Sequence, residues 1–254
     1  MEKLSVVIIT LNEEKNIQRC LNSVKHVADE IVVVDSLSTD NTEQICQSYG
    51  VKFIKHKFDD YVTQKNYANS KASYDYILSL DADEALSEEL EKSVLNAKVV
   101  FDVDGYTMNR LTNYIGSWVH HCGWYPDKKM RLFDRRKGSW EGVIIHEQFN
   151  LYQGGTEKHL KGDLLHYSFH SVEEHKKQTE KFTTLGAEAD FKRGKKVTFF
   201  KLIFGPPIRF IRDYFFLLGI LDGSVGFRIC YSSANATYLK YKKLKNKYNS
   251  RKEQ

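Results

Sequence analysis

Three acids at the end of an apolar run are the residues best suited to chemistry in this chain. In Tyr76-Ile77-Leu78-Ser79-Leu80-Asp81-Ala82-Asp83-Glu84 the hydrophobic segment stops at Asp81, and Asp83 and Glu84 follow at once. Within a sheet such a run reads as a buried strand. Charge is tolerable only at its open end, where water, a cation or a ligand can meet it. On an extended chain Asp81 and Asp83 point to the same side. Carboxylates so placed can hold a hard divalent cation, and a nucleotide diphosphate can supply the cation's other oxygen ligands. Taken alone, the three acids also fit a solvated turn capping the helix signalled by Leu86-Ser87-Glu88-Glu89-Leu90.

Two upstream segments decide between these readings. Leu4 to Thr10 is β-branched and apolar and stops at Leu11-Asn12-Glu13-Glu14. Glu30-Ile31-Val32-Val33-Val34-Asp35 is a second such strand ending in an acid, followed by a Ser36 to Thr42 turn. Between them Ile17, Cys20, Leu21 and Val24 have helical spacing up to Val27. Asn12 is the expected cap of that helix, with acids in its first turn. Asp40 or Thr42 caps a second helix running to Tyr49, stopped by Gly50. Val51 to Ile54 reads as a third strand and Gln64 to Ala72 as a third helix. The alternation predicts an α/β fold with a parallel sheet, whose ligands bind beyond the carboxyl ends of the strands. Thr10, Glu13, Asp35 and Asp81 all fall at those ends. No Gly-x-Gly-x-x-Gly follows the first strand and no Gly-x-x-x-x-Gly-Lys occurs. A dinucleotide-binding Rossmann domain and a P-loop are therefore disfavoured.

These segments, with Gln64-Lys65-Asn66, resemble family 2 glycosyltransferases of the GT-A fold, over roughly the first 150 residues. Within that family the chain is similar to bacterial β-1,4-glucosyltransferases of the lipopolysaccharide inner core. The narrower likeness also uses Arg131-Leu132-Phe133, the stretch Trp140 to Glu147, and Leu165-His166-Tyr167. The resemblance implies a GT-A domain over residues 1–195, with a nucleotide-sugar half (1–105) and an acceptor half (106–195). Residues 196–254 are expected as a helical, membrane-associating extension. It also implies a UDP-sugar donor, Mg²⁺ or Mn²⁺, and a lipid-linked or lipopolysaccharide glycan acceptor. Thr10, Leu11, Glu13, Asp35, Ser36, Lys65, Asp81, Ala82 and Asp83 are then the donor contacts. Asp35 accepts from the uracil N–H, Asp81 lies near the ribose, and Asp83 binds the metal. Asp81 and His166 are further candidate ligands, and His146 shares the imidazole chemistry that suits Mn²⁺.

An inverting sugar transfer is one in-line displacement, so a carboxylate opposite the leaving group must take the acceptor's proton. Asp83 sits on the metal side. Glu147 and Glu141 are the candidates, with Glu147 preferred because it follows the apolar run Val143-Ile144-Ile145. Trp140, Arg131 and His146 are expected at the acceptor. An indole face can stack on a sugar ring, and Arg131, Arg135 and Arg136 can meet core phosphates. Trp118 and Trp124 flank the same half and fit a core role as well.

The net charge is +5 with four scattered cysteines and no Cys-x-x-Cys pair, which fits reduced thiols in a cytoplasmic protein better than a disulfide frame or zinc site. The first apolar run is too short for a signal peptide. From Val197 to Leu221 the chain is rich in Phe, Ile and Leu, interrupted by Arg209, Arg212 and Asp213, and Pro206-Pro207 is expected to break any helix there. This is not a spanning segment, which needs about 20 mostly uncharged residues. A basic run from Lys240 to Lys252 follows, interleaved with Tyr238, Tyr241 and Tyr248. Together they point to a peripheral site on an anionic inner-membrane face. The alternative is a terminal helix on the core with a solvated tail. Nucleic acid is disfavoured because no recognition motif accompanies the charge. Two other functions compete. A sugar-nucleotide nucleotidyltransferase would carry a Gly-rich basic loop where Leu11-Asn12-Glu13-Glu14 stands. A non-catalytic sugar- or lipid-binding scaffold would not need both Asp81 and Asp83.

Overall fold

A computed structural model describes residues 1–142 and 147–252. The chain forms two compact units, one of residues 1–111 and 127–167, the other of 112–126 and 168–254. These divisions differ from those at residues 105 and 195.

In the first unit, β1 (Leu4–Thr10) is buried along its whole length. Its side chains alternate between two apolar clusters. Leu4, Val6 and Ile8 meet Ile17, Cys20, Leu21 and Val24 of α1 (Ile17–Val24) and Leu90 and Val94 of α4 (Glu88–Val99). Val7 and Ile9 meet Ala68 of α3 (Tyr61–Ser70), Phe133, Trp140 and Phe149. Both faces of the strand are covered, which is why it reads as a continuous apolar run.

Parallel pairing joins β1 to β2 (Glu30–Asp35) and β4 (Tyr76–Asp81), and β2 to β3 (Lys52–Lys55). The helix α2 (Thr42–Ser48) crosses between β2 and β3. The second half of the unit adds β5 (Glu84–Leu86), β6 (Gly105–Tyr114), β8 (Asp127–Asp134) and β11 (Glu157–Phe169), in the order β3-β2-β1-β4-β8-β6-β11-β5. β8 runs antiparallel to β4 and β6, and β11 antiparallel to β5. The sheet is thus mixed, parallel where the β/α alternation predicted it and antiparallel beyond β4. The register pairs Thr10 with Asp35 and Ile9 with Asp81, so the charged strand ends lie side by side. The order also reverses at β1 and β4, the switch point where α/β sheets hold ligands. A small antiparallel hairpin, β9 (Gly138–Glu141) and β10 (Gln148–Leu151), stands apart from the sheet.

In the second unit, the last residues of β6 pair with β7 (Ser117–Val119). Ser171 caps α5 (Val172–Lys192) by accepting from Glu174 N, a contact worth about 1 kcal/mol. Next come α6 (Phe199–Ile211), a π-helical turn (Arg212–Phe216), a 3-10 turn (Gly219–Asp222) and α7 (Gly223–Lys252). Contrary to expectation, α6 runs through Pro206 and Pro207. The fixed φ of proline is itself helical, so the helix continues while each proline leaves one backbone hydrogen bond unmade.

The basic tail also differs from expectation. Lys240 reaches Asp190 at 3.0 Å, Lys243 reaches Glu180 at 2.6 Å and Lys247 reaches Glu188 at 3.4 Å, all on α5. Leu244 is buried in the same seam, and Tyr248 packs its ring on Phe191. This end of α7 is clamped to α5 by a stripe of lysines. By contrast, α6 buries no residue at all. Phe199, Phe200, Phe204, Ile208, Phe216 and Leu221 are each more than half exposed. Among the described residues no single helix is long and apolar enough to cross a membrane, although Phe199–Phe216 and Gly219–Ser250 meet the criterion as a pair bent by 75°. The four cysteines are free and buried.

Candidate active site

The loops after β1 and β2 are stitched together by their polar residues. Asn12 adopts a left-handed backbone, φ 55°, and its side chain accepts from Thr39 N at 2.8 Å. Its own N–H donates to Ser38 Oγ at 2.8 Å. Glu13 N donates to Thr42 Oγ1 and Glu14 N to Asp40. Asn12 therefore ties two loops instead of capping α1, which begins after Asn16. Asp40 does bind the first turn of α2, accepting from Thr42 N at 3.0 Å. Asp35 is fully buried and accepts from Ser38 N at 2.8 Å and Ser38 Oγ at 2.5 Å. Ser36 accepts from Gln64 of α3. Leu11 is half exposed, whereas Thr10 is buried with no partner for its hydroxyl among the described residues.

At the end of β4, Asp81 enters a buried ionic network. Lys65 comes in from α3 with its side chain only 1% exposed, 3.0 Å from Asp81 and 3.1 Å from Glu147. Arg131 reaches up from β8 and donates to Asp81 at 2.9 Å and Glu84 at 2.7 Å. Burial pushes the Asp81 carboxyl up, but Lys65 and Arg131 outweigh it and hold the group well below the usual carboxylate range. Burial likewise opposes the Arg131 charge, and Glu84 and Asp81 restore it. Lys65 is thus not a surface lysine. Arg131 is committed to carboxylates instead of standing ready for an acceptor phosphate. Arg135 and Arg136 pair with Asp75 and Asp134.

Asp83 has a different partner. The antiparallel register of β5 and β11 sets His166 opposite Glu84, and Tyr167 N donates to Asp83 O at 2.8 Å. His166 Nε2 then lies 3.2 Å from Asp83 Oδ2. Burial pushes the Asp83 carboxyl up, yet the imidazole more than compensates and holds it low. Glu13 faces the same space. Burial first, then the charge of Asp83, pushes its carboxyl up to about 7 even though Asn16 donates to it.

Among the described residues, no three His, Cys, Asp or Glu side chains form a metal cage by themselves. A divalent ion of the Mg²⁺ type is usually held by one or two protein groups plus substrate phosphates, and Asp83 with His166 fits that pattern. The two side chains lie 3.2 Å apart and would be the protein's offer to such an ion. Asp81, expected as a further ligand, pairs with Lys65 and Arg131, while its Oδ1 accepts no hydrogen bond among the described residues.

The second-half candidates separate clearly. Glu147 lies at the network through Lys65. Glu141 is exposed and accepts from Ser139 and Asn150 within the hairpin. Trp140 is 2% exposed, edge-on to Phe133 and Phe149, with Lys65 over its ring at 4.5 Å. Its ring is core, not a stacking platform for sugar. Asn66 fastens the hairpin to α3 by bonding both Trp140 N and Trp140 O. Ala82 is buried beside Asp81. Trp124 packs on Tyr114 and Phe169 in the second unit, while Trp118 lies on β7. His146 and the apolar run Val143 to Ile145 lie outside the described residues. A cavity of about 640 Å³ opens beside Arg131, Trp140 and Glu147.

Three participants carried no usable signal in the sequence. Arg110 reaches Glu84 at 3.5 Å from the middle of β6. Gln64 links Ser36 to His56. Tyr61 stands near enough to Asp81, Glu147, Asp83 and Glu13 for their charges, after burial, to push its phenol up. Arg110 and Tyr61 belong to no motif, and Gln64, although within the Gln64-Lys65-Asn66 segment, has no role assigned from it; each is placed by packing.

A mixed sheet thus carries an Asp-x-Asp at its switch point, with a carboxylate and a histidine from the second half beside it. Residues 5–152 match the family model described as Glycosyl transferase family 2. An uncharacterized glycosyltransferase of Rickettsia typhi is 31% identical over 96% of this chain and 87% of its own length. The lipopolysaccharide core biosynthesis glycosyltransferase LpsC of Rhizobium meliloti is 33% identical over 84% of this chain and 80% of its own. Among solved structures, S. aureus TarS 1–349 in complex with UDP aligns with a TM-score of 0.47 and 16% identity, covering 98% of this chain and 91% of that one. The chain belongs to glycosyl transferase family 2 and is a GT-A glycosyltransferase.

Proposed function

We propose that this enzyme moves a hexose, with glucose as the first candidate, from a UDP-sugar to a lipopolysaccharide-core glycan with inversion at the anomeric carbon. The observation that carries the reading is the convergence of Asp81, Asp83, His166 and Glu147 at the carboxyl ends of the central strands. Asp83 and His166 would hold a divalent cation, Mg²⁺ or Mn²⁺, which supplies positive charge to the departing UDP. The stitched loops bearing Thr10, Leu11, Glu13, Asp35 and Ser36 receive the uridine. Asp35 holds its own turn and keeps lone pairs for the uracil N–H, since a carboxylate offers about four acceptor sites. Lys65 and Arg131 fix Asp81. Glu147 takes the proton of the acceptor hydroxyl as that oxygen attacks. The name of the LpsC relative supports the acceptor class.

The test is transfer from UDP-glucose to deacylated core oligosaccharide, with the new anomeric proton read by NMR. A β-linked product is expected from the α-linked donor. An α-linked product would sink the single-displacement mechanism.

The same proposal includes docking of the second unit on the anionic cytoplasmic leaflet. Support comes from the exposed apolar surface of α6 and the turns after it. The local charge agrees in sign. Lys195, Lys196, Lys201, Arg209, Arg212 and Arg228 outnumber Asp213 and Asp222, although Lys195 pairs with Asp190 and both Arg209 and Arg212 pair with the buried Asp213. Each basic residue near such a leaflet contributes on the order of 1 kcal/mol, weakened by salt. The lysines clamped to α5 contribute less than their number implies. Full-length protein should sediment with anionic vesicles and be partly released by salt. Phe204→Ser with Phe216→Ser should lose most of the salt-resistant part. Equal sedimentation of variant and wild type would refute the contact.

A further inference from the structure

The second unit carries an apolar tip that its own packing leaves uncovered. From Tyr214 to Leu221 the chain reads Tyr-Phe-Phe-Leu-Leu-Gly-Ile-Leu, without a charge. Phe215, Phe216, Leu218, Ile220 and Leu221 are all exposed. The tip is nevertheless held firmly. Leu217 O accepts from Cys122 N at 2.9 Å. Asp222 accepts from His121 N at 2.9 Å and meets His121 Nδ1 at 2.7 Å. Gly219 is buried where a Cβ would stand 2.7 Å from the Cys230 thiol and 2.9 Å from that of Cys122. The rings of Phe210, Tyr214 and Phe227 lock α6 and the π-helical turn onto the start of α7. Leu218 has a left-handed backbone, φ 55° and ψ 26°, uncommon for any residue but Gly, Asn or Asp. Strain of this kind collects where a surface meets a ligand.

The flanking helix matches the tip. At 3.6 residues per turn, Phe199, Phe200, Ile203, Phe204, Ile208 and Ile211 cover one half of the circumference of α6, each at least 45% exposed. Lys201, Arg209 and Arg212 form a strip beside them. The only acid between residues 199 and 221 is Asp213, which is buried and paired with Arg209 and Arg212. No carboxylate of this stretch faces outward. An apolar arc with a basic flank is the pattern of a helix lying in a membrane interface, where long basic side chains reach up to the headgroups. A second copy of the chain, docked by the same face, would set that basic strip against itself. The 75° bend between the segment Phe199–Phe216 and the one that follows lets the chain enter and leave a bilayer on one side.

We infer that the tip from Phe215 to Leu221 is a membrane wedge, seated in the acyl layer of one leaflet, while α6 lies in the headgroup plane with Lys201, Arg209 and Arg212 toward lipid phosphates. The inference rests on the docking reading above and goes further, since the occupant of this surface is lipid hydrocarbon and the attachment is monotopic.

Spin labels read the depth. Leu218→Cys and, as reference, Lys242→Cys near the far end of α7 are labelled with a nitroxide in the full-length protein. The four native cysteines are buried, and wild type treated in the same way is the blank. On vesicles of phosphatidylethanolamine and phosphatidylglycerol, the label at position 218 should gain collisions with oxygen and lose them with a water-soluble nickel chelate. The label at position 242 should stay in water. Leu218→Asn with Leu221→Asn keeps a side chain that tolerates the left-handed backbone, so the melting temperature should not change. Its partition onto the vesicles at high salt should fall at least about tenfold, because two apolar side chains are removed from hydrocarbon. Sedimentation with a label at position 218 that stays in water, or equal high-salt partition of variant and wild type, would overturn the wedge and leave docking at the surface. Absence of sedimentation at any salt would remove both readings. A concentration-dependent dimer without vesicles, dissolved by the same two substitutions, would overturn the wedge in favour of a second copy.

Discussion

Asp83→Ala should abolish measurable transfer, a loss of at least about 10²–10³-fold, the scale of removing one preorganised electrostatic group. The substitution removes the carboxylate that His166 faces at 3.2 Å and thereby one of the two protein groups offered to a cation. The fold should survive. The backbone bond from Tyr167 N to Asp83 O does not involve the side chain, and β5 stays paired to β11. Initial rates of transfer and of UDP-glucose hydrolysis, with Mn²⁺ and with chelator, check the prediction. Near wild-type turnover by the variant in chelator would show that the metal assignment is wrong.

Glu147→Gln should leave the protein folded and able to bind UDP while lowering transfer by about two to four orders of magnitude, the range of a lost general base. The amide keeps the shape and gives up only the basic carboxylate, and Lys65 retains Asp81 as a partner. Glu141→Gln should have a small effect, because that carboxylate is exposed and engaged within its own hairpin. Rates with saturating donor distinguish the two. An active Glu147→Gln beside a dead Glu141→Gln would exchange their roles.

The parallel half of the sheet and its charged ends were legible because burial on both faces leaves unbroken apolar runs, and an acid after such a run has few places to go. Pairings between distant segments were not. Nothing local to Leu165-His166-Tyr167 says that it lies against Glu84. Lys65 looks like any helix lysine until α3 is laid over β4 and the hairpin. Trp140 beside an acid suggested a sugar platform, but its neighbours across the hairpin and on β8 enclose it. The terminal lysines carry the composition of a membrane tail, and only the facing acids of α5 show them to be a clamp. Asn12 illustrates a smaller ambiguity. The same side chain can cap a helix or bridge two loops, and tertiary contacts decide.

The pairing of β5 with β11 also has a temporal side. Asp83 and His166 are far apart in the chain, so a ribosome working at roughly 5–20 residues per second delivers the acid on the order of ten seconds before the imidazole. Closing so long a loop carries an entropic cost that only later contacts repay. Until then the nascent chain presents Asp83 without His166, although Lys65 and then Arg131 are already made and can meet Asp81 and Glu84. The first 105 residues, although they contain most of the recognisable motifs, present Asp83 without its histidine when they first emerge. Assembly of the centre therefore waits on the last strand of the sheet, and a nascent chain stalled before β11 carries the signature of the enzyme without its working centre.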